Sequence, residues 1–128
     1  MDLQDLTRAM HNFVRSMGWY ADNSPRPQTL RNLAVSLNLE SAEVLEHFQW
    51  QDTLVDQDAL AGELADVALY LLQLASLSGI DLEQAILAKL KVNYQRTWDG
   101  GNKTMLDSNI STSPEQDLPS NPPQNGVT

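Results

Sequence analysis

The sequence predicts an all-α fold, in which a four-helix bundle-like domain is followed by a flexible C-terminal tail. Through residues 1–99 apolar residues recur with a helical period, and no stretch alternates with period two over the length of a strand. The chain has 128 residues, of which 41% are hydrophobic and 20% charged, as in an ordinary single globular domain. From residue 100 the composition becomes rich in Pro, Asn, Ser and Thr. We therefore predict a domain over 1–99 and a tail over 100–128.

Two helices are predicted in the first half of the domain. The first extends from Leu3 to Met17 and ends at Gly18. The segment 23–27 contains two prolines and is predicted to be a loop, because neither proline fits a helix interior. Thr29 is a suitable N-cap for the second helix, which we predict to continue to Trp50.

Two further helices are predicted in the second half. The third extends from Asp58 to Ser78, with apolar residues at helical spacing and Gly79 as its stop signal. Asp81 is the predicted N-cap of the fourth, which continues to Trp98. Four helices of this size cannot cover their apolar surfaces within one chain, so we expect a homo-oligomer. A tetramer built as a dimer of dimers is favoured over a dimer.

Composition excludes several classes of protein. A formal charge of −9 is unsuited to binding the phosphate backbone of nucleic acids. The absence of cysteine excludes disulfides, thiolate zinc sites and cysteine nucleophiles. No apolar run approaches the roughly 18 to 20 residues of a membrane span, and residues 1–5 lack the pattern of a secretory signal. The expectation is a cytoplasmic protein with neither a nucleic-acid nor a membrane partner.

Five acidic residues point to a metal site. Glu40, Glu43 and Glu46 follow one another at spacing three on the second helix, and Glu63 and Asp66 repeat that spacing on the third. Residues three apart are neighbours on a helix surface, so each pair can direct two carboxylates at one point. Facing carboxylates repel one another unless they bind protons or cations. Oxygen ligands favour Mg²⁺, with Mn²⁺ as a substitute, and bound Mg²⁺ commonly takes phosphate oxygens as further ligands.

Other interpretations of these residues remain open. An isolated E-x-x-E pair is most often a solvated helix face, and a non-catalytic four-helix interaction module is the alternative function. A di-iron site requires E-x-x-H pairs, whereas His47 follows Glu43 at spacing four and nothing equivalent follows Glu63. His47 is therefore interpreted as a surface or boundary residue. Phe13 is assigned to the core.

A small basic cluster is predicted on the fourth helix. Lys89, Asn93 and Arg96 share one face of it, and the chain has only eight basic residues. They form a candidate phosphate clamp. The alternative is a solvated helix end whose cations are favoured by the helix dipole.

The order of these motifs resembles the MazG-like all-α nucleotide pyrophosphohydrolases, and it is most similar to the small single-domain branch that includes the dCTP pyrophosphatases. The resemblance covers residues 10–99. It rests on E-x-x-E followed about twenty residues later by E-x-x-D, together with Arg31-Asn32-Leu33, the segment Glu40 to Trp50, Glu63 to Val67 with Tyr70, and Lys89, Asn93 and Arg96.

The resemblance implies a function and a set of site residues. The reaction would be magnesium-dependent hydrolysis of a (deoxy)nucleoside triphosphate to a monophosphate and pyrophosphate, in a house-cleaning role. Glu43 or Glu46 would hold the attacking water. The segment 96–99 and the loop 21–28 depart from the family pattern, so the base remains open. The implied metal ligands are Glu40, Glu43, Glu63 and Asp66, and the implied substrate-binding residues are Trp19, Arg31, Trp50, Tyr70, Lys89, Asn93 and Arg96.

Overall fold

The computed structural model describes residues 1–96, which contain four helices and no strand. The predicted all-α fold is confirmed. Met1–Tyr94 forms one compact unit, and a second unit begins at Gln95. The tail predicted over 100–128 lies outside the described residues. The helices are α1 (Leu3–Ser16), α2 (Leu30–Glu46), α3 (Gln57–Leu77) and α4 (Leu82–Gln95).

Side-chain caps and glycines set the helix boundaries. Thr29 caps α2 by accepting a hydrogen bond from the backbone N–H of Asn32 at 3.1 Å, as predicted. Asp81 accepts one from the N–H of Gln84, also at 3.1 Å, at the start of α4. Gly79 follows α3 with φ of +69°, a left-handed conformation that glycine adopts without steric cost.

The helix α2 is shorter than predicted. It ends at Glu46 instead of Trp50, and the next residues form turns closed by hydrogen bonds to the carbonyls of Leu45 and Glu46. A helix gains most of its stability from a buried apolar face. Phe48 is exposed and Trp50 is 89% exposed, so continuing the helix would bury no additional apolar face in this chain.

The core is small and centres on α3. Both α1 and α2 pack on α3, and the α2–α3 contact is the more extensive. No side chain of α4 is buried, so one chain does not form a closed four-helix bundle. Within residues 1–96 the buried apolar side chains are Met10, Val14, Leu33, Leu72 and Ala75.

The sequence predicts that no segment has the length and hydropathy of a membrane span, and α3 does not meet this expectation. It has 21 residues, a mean hydropathy of 1.4 over its most apolar 18-residue window, and only 17% of that window is buried. A single helix of this kind is weak evidence for a membrane span, because the core helix of a water-soluble bundle passes the same test.

A polar network ties α1 and the following loop to α3. His11 on α1 lies between two hydroxyl groups, with Nδ1 2.6 Å from Tyr20 Oη and Nε2 2.7 Å from Ser76 Oγ. Gln73 Nε2 donates hydrogen bonds to Tyr20 Oη at 3.2 Å and to Gln28 Oε1 at 2.8 Å. Gln73 is the buried polar residue of the described chain, with 3% of its surface exposed. The network fixes the loop against α3.

The titration of His11 should make stability depend on pH. Burial, followed by the charge of Arg15, lowers the pKa of His11 below its ordinary value of 6.5. The unfolded chain therefore binds this proton more readily, and the free energy of unfolding should fall as the pH drops through 6.5 toward the folded-state pKa. We expect the stability advantage of the wild type over His11→Gln, measured by urea unfolding, to shrink between pH 8 and pH 5.5. An advantage that stays constant over this range would contradict the prediction.

Candidate functional site

Three carboxylates meet where α2 packs on α3. Glu40 and Glu43 are one helical turn apart on α2, and Glu63 lies opposite them on α3. Each of the three has a carboxylate oxygen within 4.8 Å of one from each of the others. Glu40 and Glu63 are half-buried and Glu43 is exposed. Spacing three aligns the first two residues, and the packing of α2 on α3 supplies the third.

The carboxylates affect one another's protonation. The pKa of Glu40 is raised by burial first, and then by its hydrogen bond with Glu43 and by the charges of Glu43, Asp66 and Glu63. The pKa of Glu63 is raised first by its hydrogen bond with Glu43. Asp66 is not one of the three clustered carboxylates, although its charge contributes to both shifts. The cluster is a site of concentrated negative charge that a cation would relieve.

The chemistry of these donors fits a hard divalent cation. All three are carboxylates, and ligands of this type suit Mg²⁺ and Mn²⁺ better than softer metals. His47 Nε2 lies 4.0 Å from Glu63 Oε1, and the charge of His47 lowers the pKa of Glu63, against the larger shifts that raise it. His47 thus adjoins the acidic cluster, which the sequence interpretation as a surface or boundary residue did not anticipate.

A cleft of about 460 Å³ adjoins the cluster. Glu40 and Asp66 line it together with aromatic residues, so carboxylates and apolar rings share one space. The rings of Trp19 and Phe13 meet edge to face, with centroids 5.6 Å apart, and the Arg26 guanidinium lies 5.3 Å from the centroid of Trp19. Concave sites of this size with mixed lining are typical of small-molecule binding.

The structure brings some of the sequence-predicted residues to this region and leaves others apart. Trp19 and Tyr70 line the cleft with Glu40 and Asp66. Glu46 is exposed and is not one of the clustered carboxylates. Trp50 is exposed and does not line the cleft, and Arg96 belongs to the second unit of the chain. The other predicted substrate-binding residues that are absent from the lining are Arg31, Lys89 and Asn93.

Other residues of the cleft were missed or misassigned from the sequence. Phe13 was assigned to the core, yet it is 53% exposed and lines the cleft. Gln28 and Gln73 also line it. The one sequence signal for Gln73 is its position among the apolar residues of α3, and this signal is weak. Only the tertiary structure shows that Gln73 is buried and which polar groups it meets.

Comparison with known proteins identifies the family. The MazG-like family matches residues 35–106, which include the three clustered carboxylates and Asp66. The chain is 33% identical to mouse (Mus musculus) dCTP pyrophosphatase 1 over 103 residues, covering 73% of this chain and 58% of that protein. It is 32% identical to human (Homo sapiens) dCTP pyrophosphatase 1 with the same coverage.

A relative from a bacteriophage is also similar. The chain is 36% identical over 94 residues to a protein of Salmonella phage PMBT28 named dATP/dGTP diphosphohydrolase, which covers 70% of this chain and 29% of that protein. The chain thus spans less than two thirds of the length of the curated relatives it matches. The family match covers more than half of the chain and contains the whole acidic cluster, and we conclude that this chain belongs to the MazG-like family.

Proposed function

We propose that this chain is a metal-dependent nucleoside triphosphate pyrophosphohydrolase that releases a nucleoside monophosphate and pyrophosphate. The observation that carries the proposal is the convergence of Glu40, Glu43 and Glu63 beside a cleft that Glu40 itself lines. In a non-catalytic interaction module, repulsion would favour keeping these carboxylates apart. The relatives are named for dCTP and for dATP and dGTP, so deoxynucleoside triphosphates are the proposed substrate class.

In this proposal Glu40, Glu43 and Glu63 hold the cation, with Asp66 as a fourth ligand. Bound Mg²⁺ would neutralise charge that develops on the phosphates and acidify a water molecule. Glu43 or Glu46 orients the attacking water and accepts its proton. The aromatic cleft with Trp19 and Tyr70 takes the nucleoside, since Asp66 and Glu40 lie along the same cleft. The proposed role is cytoplasmic house-cleaning of nucleotides.

Replacing the proposed metal ligands should separate metal binding from folding. We expect Glu43→Gln and Asp66→Asn to lose pyrophosphate release to below detection and to lose the increase in Tm caused by Mg²⁺. Without metal, Glu43→Gln should be at least as stable as the wild type at pH 7, because it relieves repulsion that raises the pKa of Glu40 and Glu63. Asp58→Asn is the matched control, since Asp58 is exposed in the first turn of α3.

The same assay assigns the general base. Glu46→Gln should keep the Tm increase with Mg²⁺, and it should lose kcat only if Glu46 holds the water. Near-normal turnover in both Glu43→Gln and Asp66→Asn would show that the metal assignment is wrong.

The aromatic residues should contribute to binding of the base. We expect Trp19→Ala to raise KM about tenfold with little change in kcat, because base stacking is present in the ground and transition states alike. Trp50→Ala tests the sequence prediction that Trp50 binds substrate, although this residue is exposed in one chain. The expected result is also a larger KM. The Tm of this variant should be unchanged. An unaltered KM in Trp50→Ala would remove this residue from the substrate site.

The proposed assembly is a homo-oligomer, with a dimer of dimers favoured over a dimer. The exposed apolar surface of α4 supports this assembly, because no side chain of that helix is buried within one chain. A second chain that covers this helix could also bring Lys89 and Asn93 to a neighbouring site as phosphate ligands, together with Arg96. The large, exposed apolar residues of α4 are Ile86, Leu87, Leu90, Val92 and Tyr94.

Light scattering on the full chain at micromolar concentration tests the assembly. The expected mass is that of four copies of the 14.3 kDa chain. Leu87→Glu should shift the mass toward smaller species, because it places a charge in a buried interface. Gln84→Glu, on the same helix outside the apolar set, should not. An active monomer would contradict shared sites.

A further inference from the structure

The orientation of two amides, those of half-buried Gln28 and buried Gln73, is fixed by a backbone carbonyl. Gln28 Nε2 lies 2.7 Å from the carbonyl oxygen of Arg26, which can only accept a hydrogen bond. Gln28 must therefore direct its Oε1 elsewhere, and this oxygen lies 2.8 Å from Gln73 Nε2. If Gln73 turned its own Oε1 toward Gln28 Oε1, the two oxygens would repel each other. The Nε2 of Gln73 therefore faces Gln28 Oε1. The Arg26 carbonyl thus determines which way the Gln73 amide points.

The second N–H of Gln73 is also engaged. Its Nε2 lies 3.2 Å from Tyr20 Oη as well as near Gln28 Oε1, so both amide hydrogens have acceptors. Gln73 Oε1 accepts no hydrogen bond from residues 1–96. No buried side-chain nitrogen or oxygen of the described chain lacks a partner, so this oxygen opens onto accessible space. Gln73 lines the cleft that holds Trp19 and is otherwise buried, so that space is the cleft.

We propose that Gln73 Oε1 accepts a hydrogen bond from an exocyclic amino group of the substrate base, so that the cleft selects amino-bearing bases over their deaminated, keto-bearing counterparts. The inference rests on the proposed function and names the substrate feature that the site recognises. Glu40 and Asp66 line the same cleft, so a nucleotide with its phosphates at the carboxylates places its base within the walls that Gln73 helps to form.

The rejection of a keto group follows from the fixed amide. A keto oxygen in place of the amino group would face Gln73 Oε1 as a second acceptor, and no hydrogen atom would lie between them. The amide could offer its N–H instead only by rotating, which breaks its bond to Gln28 and sets two oxygens against each other. A site built to pair with one hydrogen-bonding group rejects analogues that lack it more strongly than an apolar site does.

The test compares matched pairs of substrates that differ at the exocyclic group. We would measure pyrophosphate release from dCTP and dUTP, and from dATP and dITP, with the full chain and Mg²⁺. The expected wild-type kcat/KM favours the amino member of at least one pair by about tenfold or more. Gln73→Met has a similar volume and cannot accept this bond, so its preference should fall at least fivefold.

Two further variants separate base recognition from general disruption. Ser76→Ala removes another member of the network, which contacts His11 and does not line the cleft, and it should keep the wild-type preference. Gln28→Met leaves Gln73 in place and frees the Gln73 amide to rotate, so the preference for amino-bearing substrates should fall. This variant tests the proposal even if Gln73→Met does not fold.

The outcomes distinguish this inference from the proposed function. Equal kcat/KM within both pairs for an active wild type would overturn the role of Gln73 and leave the pyrophosphohydrolase proposal intact. An unchanged preference in folded Gln73→Met, or in Gln28→Met, would do the same, as would an equal loss in Ser76→Ala. A wild type that releases no pyrophosphate from any of the four triphosphates would overturn the proposed function itself.

Discussion

The packing of α2 on α3 is the contact on which the rest of the structure depends. It contributes most of the tertiary contact in the described chain, and it places Glu40 and Glu43 against Glu63. Apolar burial along this contact holds like charges closer together than they would lie in water. Burial raises the pKa of Glu40 and a hydrogen bond with Glu43 raises the pKa of Glu63, and the charges of neighbouring carboxylates raise both further. A cation that binds the carboxylates would turn the repulsion into attraction, so the site is coupled to the stability of the fold.

One chain buries few apolar side chains for its size. Over residues 1–96 the apolar core consists of five residues, whereas α4 and the turns after α2 leave large apolar side chains in contact with solvent. Because burial of apolar surface is the main favourable term in folding, a chain with so small a core gains from covering its surface with further copies. Under the proposed assembly, folding and the completion of the site would be parts of one process.

Two kinds of residue line the cleft. Its carboxylates, Glu40 and Asp66, suit a cation and phosphates, whereas its aromatic residues and Gln73 suit the base and sugar of a nucleotide. The polar network behind Gln73 connects this wall to His11 on α1 and to the loop that carries Gln28. The hydrogen bond between that loop and α3, from Gln73 to Gln28, sets the orientation of an amide in the cleft wall.

The sequence by itself determined the helical fold, the caps at Thr29 and Asp81, and the pairing of acids at spacing three. These features depend on local periodicity and on contacts between neighbours in the chain, which a sequence displays directly. The tertiary structure decided that α2 ends at Glu46, that Phe13 lines a cleft, and that Gln73 is buried with its amide held in one orientation. Each of these depends on which side chains meet, or fail to meet, side chains from distant parts of the sequence. The pairing of distant surfaces is set by packing of the whole chain, and no local pattern encodes it.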